Sequence, residues 1–166
     1  MSAPKLILEI SPDEVFFPNV RRRFTCHLNP DVITDGTIAN YADISPSGSN
    51  LSLGQFVSSD ENPINFSIIL NEYGADEDDY SVRLGHMNVR DSLRWLSLAQ
   101  KAVASKNKKV AFGRPPVLLL MIGLQPIVPV TLRLANKSRE YFDSKTLATI
   151  RCSVDLSFRV FRKIFI

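Results

Sequence analysis

Between Ala148 and Val160 every second residue is apolar. Ala148, Ile150, Cys152, Val154, Leu156, Phe158 and Val160 alternate with Thr149, Arg151, Ser153, Asp155, Ser157 and Arg159. A period of two puts successive side chains on opposite faces of a strand and does not fit a helix. The pattern predicts one long strand with a buried face and a wet face. Half-buried strands of this kind belong to antiparallel sheets packed over a single core. A mainly β fold is therefore the first expectation.

Other segments agree. Lys5 to Ile10 is a short apolar run, read as a first strand. In Arg23 to Leu28 the residues Phe24, Cys26 and Leu28 share one face, and Arg23, Thr25 and His27 share the other. Asn29-Pro30 closes that segment with turn chemistry. Ile64 to Leu70 is rich in β-branched residues. Val117 to Ile122 is apolar on both faces, as in a central strand. Val128, Val130, Leu132 and Leu134 alternate with Pro129, Thr131 and Arg133, and Pro129 marks an edge or a bulge. Residues 31–62 carry little pattern and are rich in Ser, Asn, Gly and Asp. They are read as an extended loop or arm, with one weak strand near Leu51 to Val57.

One segment has helical spacing. Asn88 is an N-cap residue and Asp91 falls in the first turn. The helix is expected from Val89 to Ala104, with Val89, Leu93, Leu96, Ala99 and Val103 as its apolar stripe. Arg90, Arg94, Ser97 and Lys101 lie opposite. Trp95, Leu98 and Ala102 form a second apolar side, so this helix needs two neighbours. Trp95 is expected to be covered either by another subunit or by the 31–62 loop.

Length and composition narrow the class. The chain has 166 residues, 45% hydrophobic and 22% charged, which suits one globular domain. Two cysteines cannot form a disulfide framework. No apolar run reaches the length of roughly 18 residues that a membrane helix needs. Glu9 and Asp13 interrupt the only N-terminal apolar stretch, so folding in the cytoplasm is expected.

Chemistry is sparse. His27 and His86 are the only histidines, and no Gly-x-Ser-x-Gly elbow accompanies them. Both read as surface or hydrogen-bonded residues. Cys26 and Cys152 fall on apolar strand faces and lack metal-ligand spacing. The run Asp76-Glu77-Asp78-Asp79 lacks the alternation and central glycine of a calcium loop. No catalytic residue, metal or cofactor is expected. Charge is unevenly spread: Asp60 to Tyr80 holds seven acids and no Lys or Arg, and Lys101 to Arg114 holds five bases and no acids. The plain reading is solvated loops. The sharper reading is a self-complementary surface between copies.

The order of these pieces resembles the contractile injection system tube family, which includes the baseplate hub adaptors of contractile phage tails. Leu28-Asn29-Pro30 stands where that family carries Phe-Asn-Pro. Ile64 to Tyr73 is similar to its L-x-F-x-L-x-x-D-x-Y strand. A single helix follows, then Arg114-Pro115-Pro116 with Val117 to Leu120, similar to its Pro-Pro strand. Glu140-Tyr141-Phe142-Asp143 and the strand from Ala148 to Val160 are similar to its Phe-Asp turn and closing strand. The family's Trp-Gly is Ile122-Gly123 here, and no LysM module follows the closing strand.

The resemblance implies a tail-tube-like fold: a small antiparallel β-barrel or sandwich of about six to eight strands with one α-helix. It implies a non-enzymatic structural protein of the tail baseplate, assembled in the host cytoplasm into a ring of six copies. Its partners would be the tail tube, the central hub or spike, and the wedge or sheath proteins. Trp95, Leu98, Asp76, Glu77, Asp78, Asp79, Lys106, Lys108 and Lys109 are the expected subunit contacts. Two alternatives stand beside it. A nucleic-acid-binding β-barrel is suggested by the isoelectric point of about 9.0 and by Arg21-Arg22-Arg23. A small cell-wall hydrolase is the other, and it lacks a convincing base or metal set.

Overall fold

The computed structural model describes residues 5–44, 53–61, 63–72, 87–101 and 113–161. They form nine strands and, among the described residues, one helix. The strands are β1 (Leu6–Ile10), β2 (Arg23–Thr25), β3 (Ile33–Thr34), β4 (Thr37–Ile44), β5 (Leu53–Glu61), β6 (Ile64–Asn71), β7 (Leu118–Ile122), β8 (Val128–Phe142) and β9 (Thr149–Val160). The helix α1 (Val89–Ala99) lies between β6 and β7. All pairings are antiparallel. The mainly β fold with one helix is as expected.

Seven strands make one sheet in the order β2-β1-β7-β8-β9-β6-β3. Its two edge strands come from one stretch of chain. That stretch pairs with β1 as far as Thr25, opposite Ile7, and Leu28 then bridges to Ile69 of β6. Only two residues, Cys26 and His27, separate the two contacts, so the sheet curls until its edges nearly meet. Cys26 N–H still donates to the Leu6 carbonyl at 3.0 Å, and the Asn29 side chain accepts from Leu6 N–H at 2.9 Å. This segment is the seam of a barrel.

The inner faces supply one core. β9 gives Cys152, Val154, Leu156 and Phe158, all buried, as its alternation predicts. β6 pairs along its length with β9, from Ile64 opposite Phe158 to Asn71 opposite Arg151. Phe66 stacks on Phe158 with ring centroids 5.3 Å apart. β1 adds Leu6, Leu8 and Ile10, and β7 adds Leu118 and Leu120. β7 is central, between β1 and β8, as its two-sided apolar character requires.

α1 begins where Asn88 predicts. The Asn88 side chain accepts from Asp91 N–H at 2.7 Å, satisfying one of the helix's free donors. Val89, Leu93, Leu96 and Ala99 are buried in the barrel's core. The helix ends at Ala99 with Gln100 as its C-cap, short of the expected Ala104. Val103 lies outside the described residues.

Three further expectations are corrected. The alternation of Arg23 to Leu28 reverses after Cys26: His27 is buried and Leu28 is exposed. The cause is the seam, where the chain leaves β1 and turns to β6. The alternation of Val128 to Leu134 breaks at a register shift between Leu132 and Leu134, which puts Leu134 outside. Residues 31–62 hold three strands, of which β4 and β5 form a separate two-stranded sheet.

Candidate interaction surface

Trp95 does not reach the surface. It is 1% exposed and belongs to the core. Its ring stacks on Phe24 of β2 at 5.2 Å and meets Phe16 at 6.2 Å. Its indole N–H donates to the Arg21 carbonyl at 2.8 Å. The cover is therefore the segment leading into β2, and neither a partner subunit nor the 31–62 region is needed. The second apolar side of α1 serves the same molecule. Leu98, one turn on, is half-buried. Asp76, Glu77, Asp78, Asp79, Lys106, Lys108 and Lys109 lie outside the described residues.

His27 has a structural position. Nε2 lies 2.6 Å from the Met87 carbonyl, which can only accept, so Nε2 carries the proton. Nδ1 then accepts from Asn71 N–H at 3.2 Å. One imidazole thus ties the seam to the end of β6 and to the residue before the Asn88 cap. His86 lies outside the described residues. Burial pushes the Cys26 thiol up to about 12, so it stays protonated at neutral pH, and burial also raises Cys152. Among the described residues no group of three or more His, Cys, Asp or Glu side chains is placed to hold a metal ion.

Two of the three arginines in the run are engaged by the chain itself. Arg22 Nη2 donates to the carbonyls of Ser11 at 2.6 Å and Glu14 at 3.1 Å. Arg23 forms an ion pair with Glu9 at 2.9 Å. Glu14 is buried and receives Arg114 Nη2 at 2.7 Å, while the Arg114 guanidinium also lies over the Phe161 ring. These donors hold the loop after β1 in place.

The surface that is rich in apolar groups lies elsewhere. The β3–β6 ladder ends at Thr34 opposite Asn65, and the β4–β5 ladder begins at Thr37 opposite Glu61. The second ladder is thus an outgrowth of the first, joined through Asp35-Gly36 and Asn62-Pro63. Its eight residue pairs span about 24 Å at the usual rise of a strand. Ile38, Tyr41, Ile44, Phe56 and Val57 are all exposed on it, and Tyr41 packs edge-on against Phe56 at 5.8 Å. A β-bulge between Asn40 and Tyr41 interrupts the register. β4 is exposed on both faces, so no alternation of buried and wet residues marks it in the sequence. Tyr141, Phe142 and Leu147 form a second exposed apolar cluster at the β8–β9 turn.

On the outer face of β6 and β9 the side chains are small and polar. Asn65, Ser67, Ser153 and Ser157 stand there, and Ser67 Oγ donates to Asp155. A shallow groove of about 740 Å³ runs between this face and the seam at Leu28 to Val32.

No protein-family model matches the chain, and no curated protein matches it. Among solved structures, the chain is similar to a chain in the cryo-EM structure of the anti-feeding prophage (AFP) baseplate, 6-fold symmetrised. The alignment covers 98% of this chain and 96% of that one, at 12% identity and a TM-score of 0.39.

Proposed function

We propose that this chain is a structural component of a contractile tail or injection machine. In this reading it is a baseplate hub adaptor or tube-like ring protein, present in six copies. It connects the central hub and tail tube to the surrounding wedge or sheath, and it performs no chemistry. The observation that carries the reading is the β4–β5 arm, a self-paired ladder that holds five large apolar side chains in water. Exposed apolar groups gathered on one element mark a surface made for association. The sequence resemblance supports the same reading. The Ile64 to Tyr73 motif supplies β6, the Pro-Pro motif leads into β7, and the Phe-Asp motif ends β8.

The test is made in the organism that encodes the chain. Assembled tails are purified, and the chain is sought by immunogold labelling at the baseplate. Gene deletion is expected to yield tubes or sheaths that lack a joined baseplate. Normal, functional tails formed without the chain overturn the proposal. Salt-sensitive binding to duplex DNA by the purified protein would favour the nucleic-acid reading instead.

A further inference from the structure

We propose that the pocket between the C-terminal end of α1 and the outer face of β8 and β9 binds the phosphate group of a small molecule, held by Arg133 and Arg159.

The site begins with a break in a ladder. Leu132 lies opposite Phe158 and Leu134 opposite Ser157, so Arg133 is an extra residue with nothing facing it. Such a residue bends its strand and re-aims its side chain. Arg133 and Leu134 both come out exposed. The Gln100 side chain reaches the Arg133 carbonyl at 3.5 Å and ties the bulge to the C-cap of α1. Two residues back, Thr131 lies opposite Arg159. Arg133 and Arg159 are thus diagonal neighbours, with backbones roughly 7–8 Å apart.

Arg133, Arg159, Thr131 and Gln100 line one cavity of about 810 Å³, together with Pro63 and Pro115. That volume falls in the range of small-molecule sites, roughly 300–1,000 Å³. No Asp, Glu or aromatic residue lines the cavity among the described residues. Arg22, Arg23, Arg114 and Arg151 all have partners within the chain. Among the described residues, the guanidinium groups of Arg133 and Arg159 have no ion pair or hydrogen bond.

Like charges side by side on one face of a sheet destabilise it. An anion seated between them converts that repulsion into attraction. One carboxylate matches the two-pronged fork of one guanidinium. Two guanidinium groups from different strands suit a group with more acceptors and more charge. A phosphate monoester has three free oxygens and close to two negative charges at neutral pH. The Thr131 hydroxyl and the second N–H of the Gln100 amide are further donors at the same cavity. The backbone of a nucleic acid is the other source of phosphate. Binding of a strand draws on aromatic rings that stack its bases, and this cavity has none.

Titration of the isotope-labelled protein with inorganic phosphate and with pyrophosphate tests this by NMR, at a fixed ionic strength of about 0.15 M to hold screening constant. Saturable amide shifts are expected at Gln100, Thr131, Arg133 and Arg159. Arg133→Gln and Arg159→Gln are each expected to weaken binding by about ten-fold or more, as loss of a charged hydrogen bond does, without moving the melting temperature. Arg139→Gln removes the same charge from an exposed part of β8 outside the cavity, and it is expected to leave binding unchanged. Absence of saturable shifts at these four residues overturns the inference. An equal loss in Arg139→Gln also overturns it, because the effect is then one of general charge. Saturable binding of a single-stranded oligonucleotide, with no binding of either phosphate, overturns it in favour of the nucleic-acid reading. The cavity belongs to the isolated chain, so failure here leaves the tail role standing, and absence of the chain from tails leaves the cavity standing.

Discussion

The indole N–H of Trp95 donates to the carbonyl of Arg21 at 2.8 Å, across 74 residues of chain. This bond fixes the large apolar ring of α1 beneath the segment that enters β2. Stacking on Phe24 completes the enclosure. Trp95 is the only tryptophan in the chain, so its fluorescence reports this site alone. The isolated protein is expected to emit with the blue-shifted maximum of a buried indole. Trp95→Ala should cost about 3–5 kcal/mol in chemical denaturation, the usual range for a buried aromatic. Trp95→Phe should cost less, about 1–3 kcal/mol, because it keeps most of the packing and orphans the Arg21 carbonyl. A Trp95→Ala protein as stable as the parent would show that the ring is not enclosed.

His27 yields a second stability prediction. Its two nitrogens satisfy the Met87 carbonyl and Asn71 N–H. His27→Leu fills similar space and leaves both backbone groups without the ring. A loss of roughly 2–4 kcal/mol is expected, from about 1–3 kcal/mol per buried orphaned group with partial relief by water. Hydrogen exchange should speed up at Asn71 and in the first turn of α1. Unchanged exchange there would separate the histidine from the helix.

The sequence made some of this legible and concealed the rest, for identifiable reasons. β9 announced itself because its inner face stays in register through Cys152, Val154, Leu156 and Phe158. The Asn88 cap and the stripe Val89, Leu93, Leu96 and Ala99 were readable because capping and helical spacing are local. His27 and Leu28 exchanged faces because the seam changes partner between Cys26 and Leu28, and that depends on β1 and β6, far away in sequence. The cover of Trp95 was hidden for the same reason. Of the arm, only a weak strand near Leu51 to Val57 is legible, where β5 lies, because β4 is exposed at nearly every residue and so carries no alternation. The expected contacts at Asp76 to Asp79 and at Lys106, Lys108 and Lys109 remain proposals.

The turn between β8 and β9 should be sensitive to acid. The Asp143 carboxylate accepts from Thr146 N–H at 2.7 Å, Lys145 N–H at 2.9 Å and the Thr146 hydroxyl at 3.0 Å. These bonds favour the charged form, with the Thr146 amide first, and hold its pKa below the usual 3.8. The unfolded chain therefore binds the proton more readily than the folded one. The turn's contribution is complete above the ordinary aspartate pKa and fades as pH falls through the depressed folded value. Amide shifts of Lys145 and Thr146 should follow that titration by NMR. Asp143→Asn should flatten the response, and an unchanged acid profile in that variant would assign the effect to another carboxylate.

The arm should be dispensable for the fold of the monomer. Among the described residues β4 and β5 pair only with each other, and β4 is exposed along nearly its whole length. An isolated two-stranded ladder is at best marginally stable in water. It follows that the barrel supports the arm and gains little from it. Replacing residues 38–60 with a short Gly-Asn linker keeps β3 opposite β6 at Ile33–Phe66 and Thr34–Asn65. Shortening the connection changes the closure entropy by only about 1 kcal/mol, because that cost grows with the logarithm of loop length. The truncated chain is expected to melt cooperatively, within about 1 kcal/mol of the parent in urea, and to keep its buried Trp95 emission. It should also lose arm-dependent association. A truncated chain that unfolds would mean that the arm packs against the barrel and is part of its core.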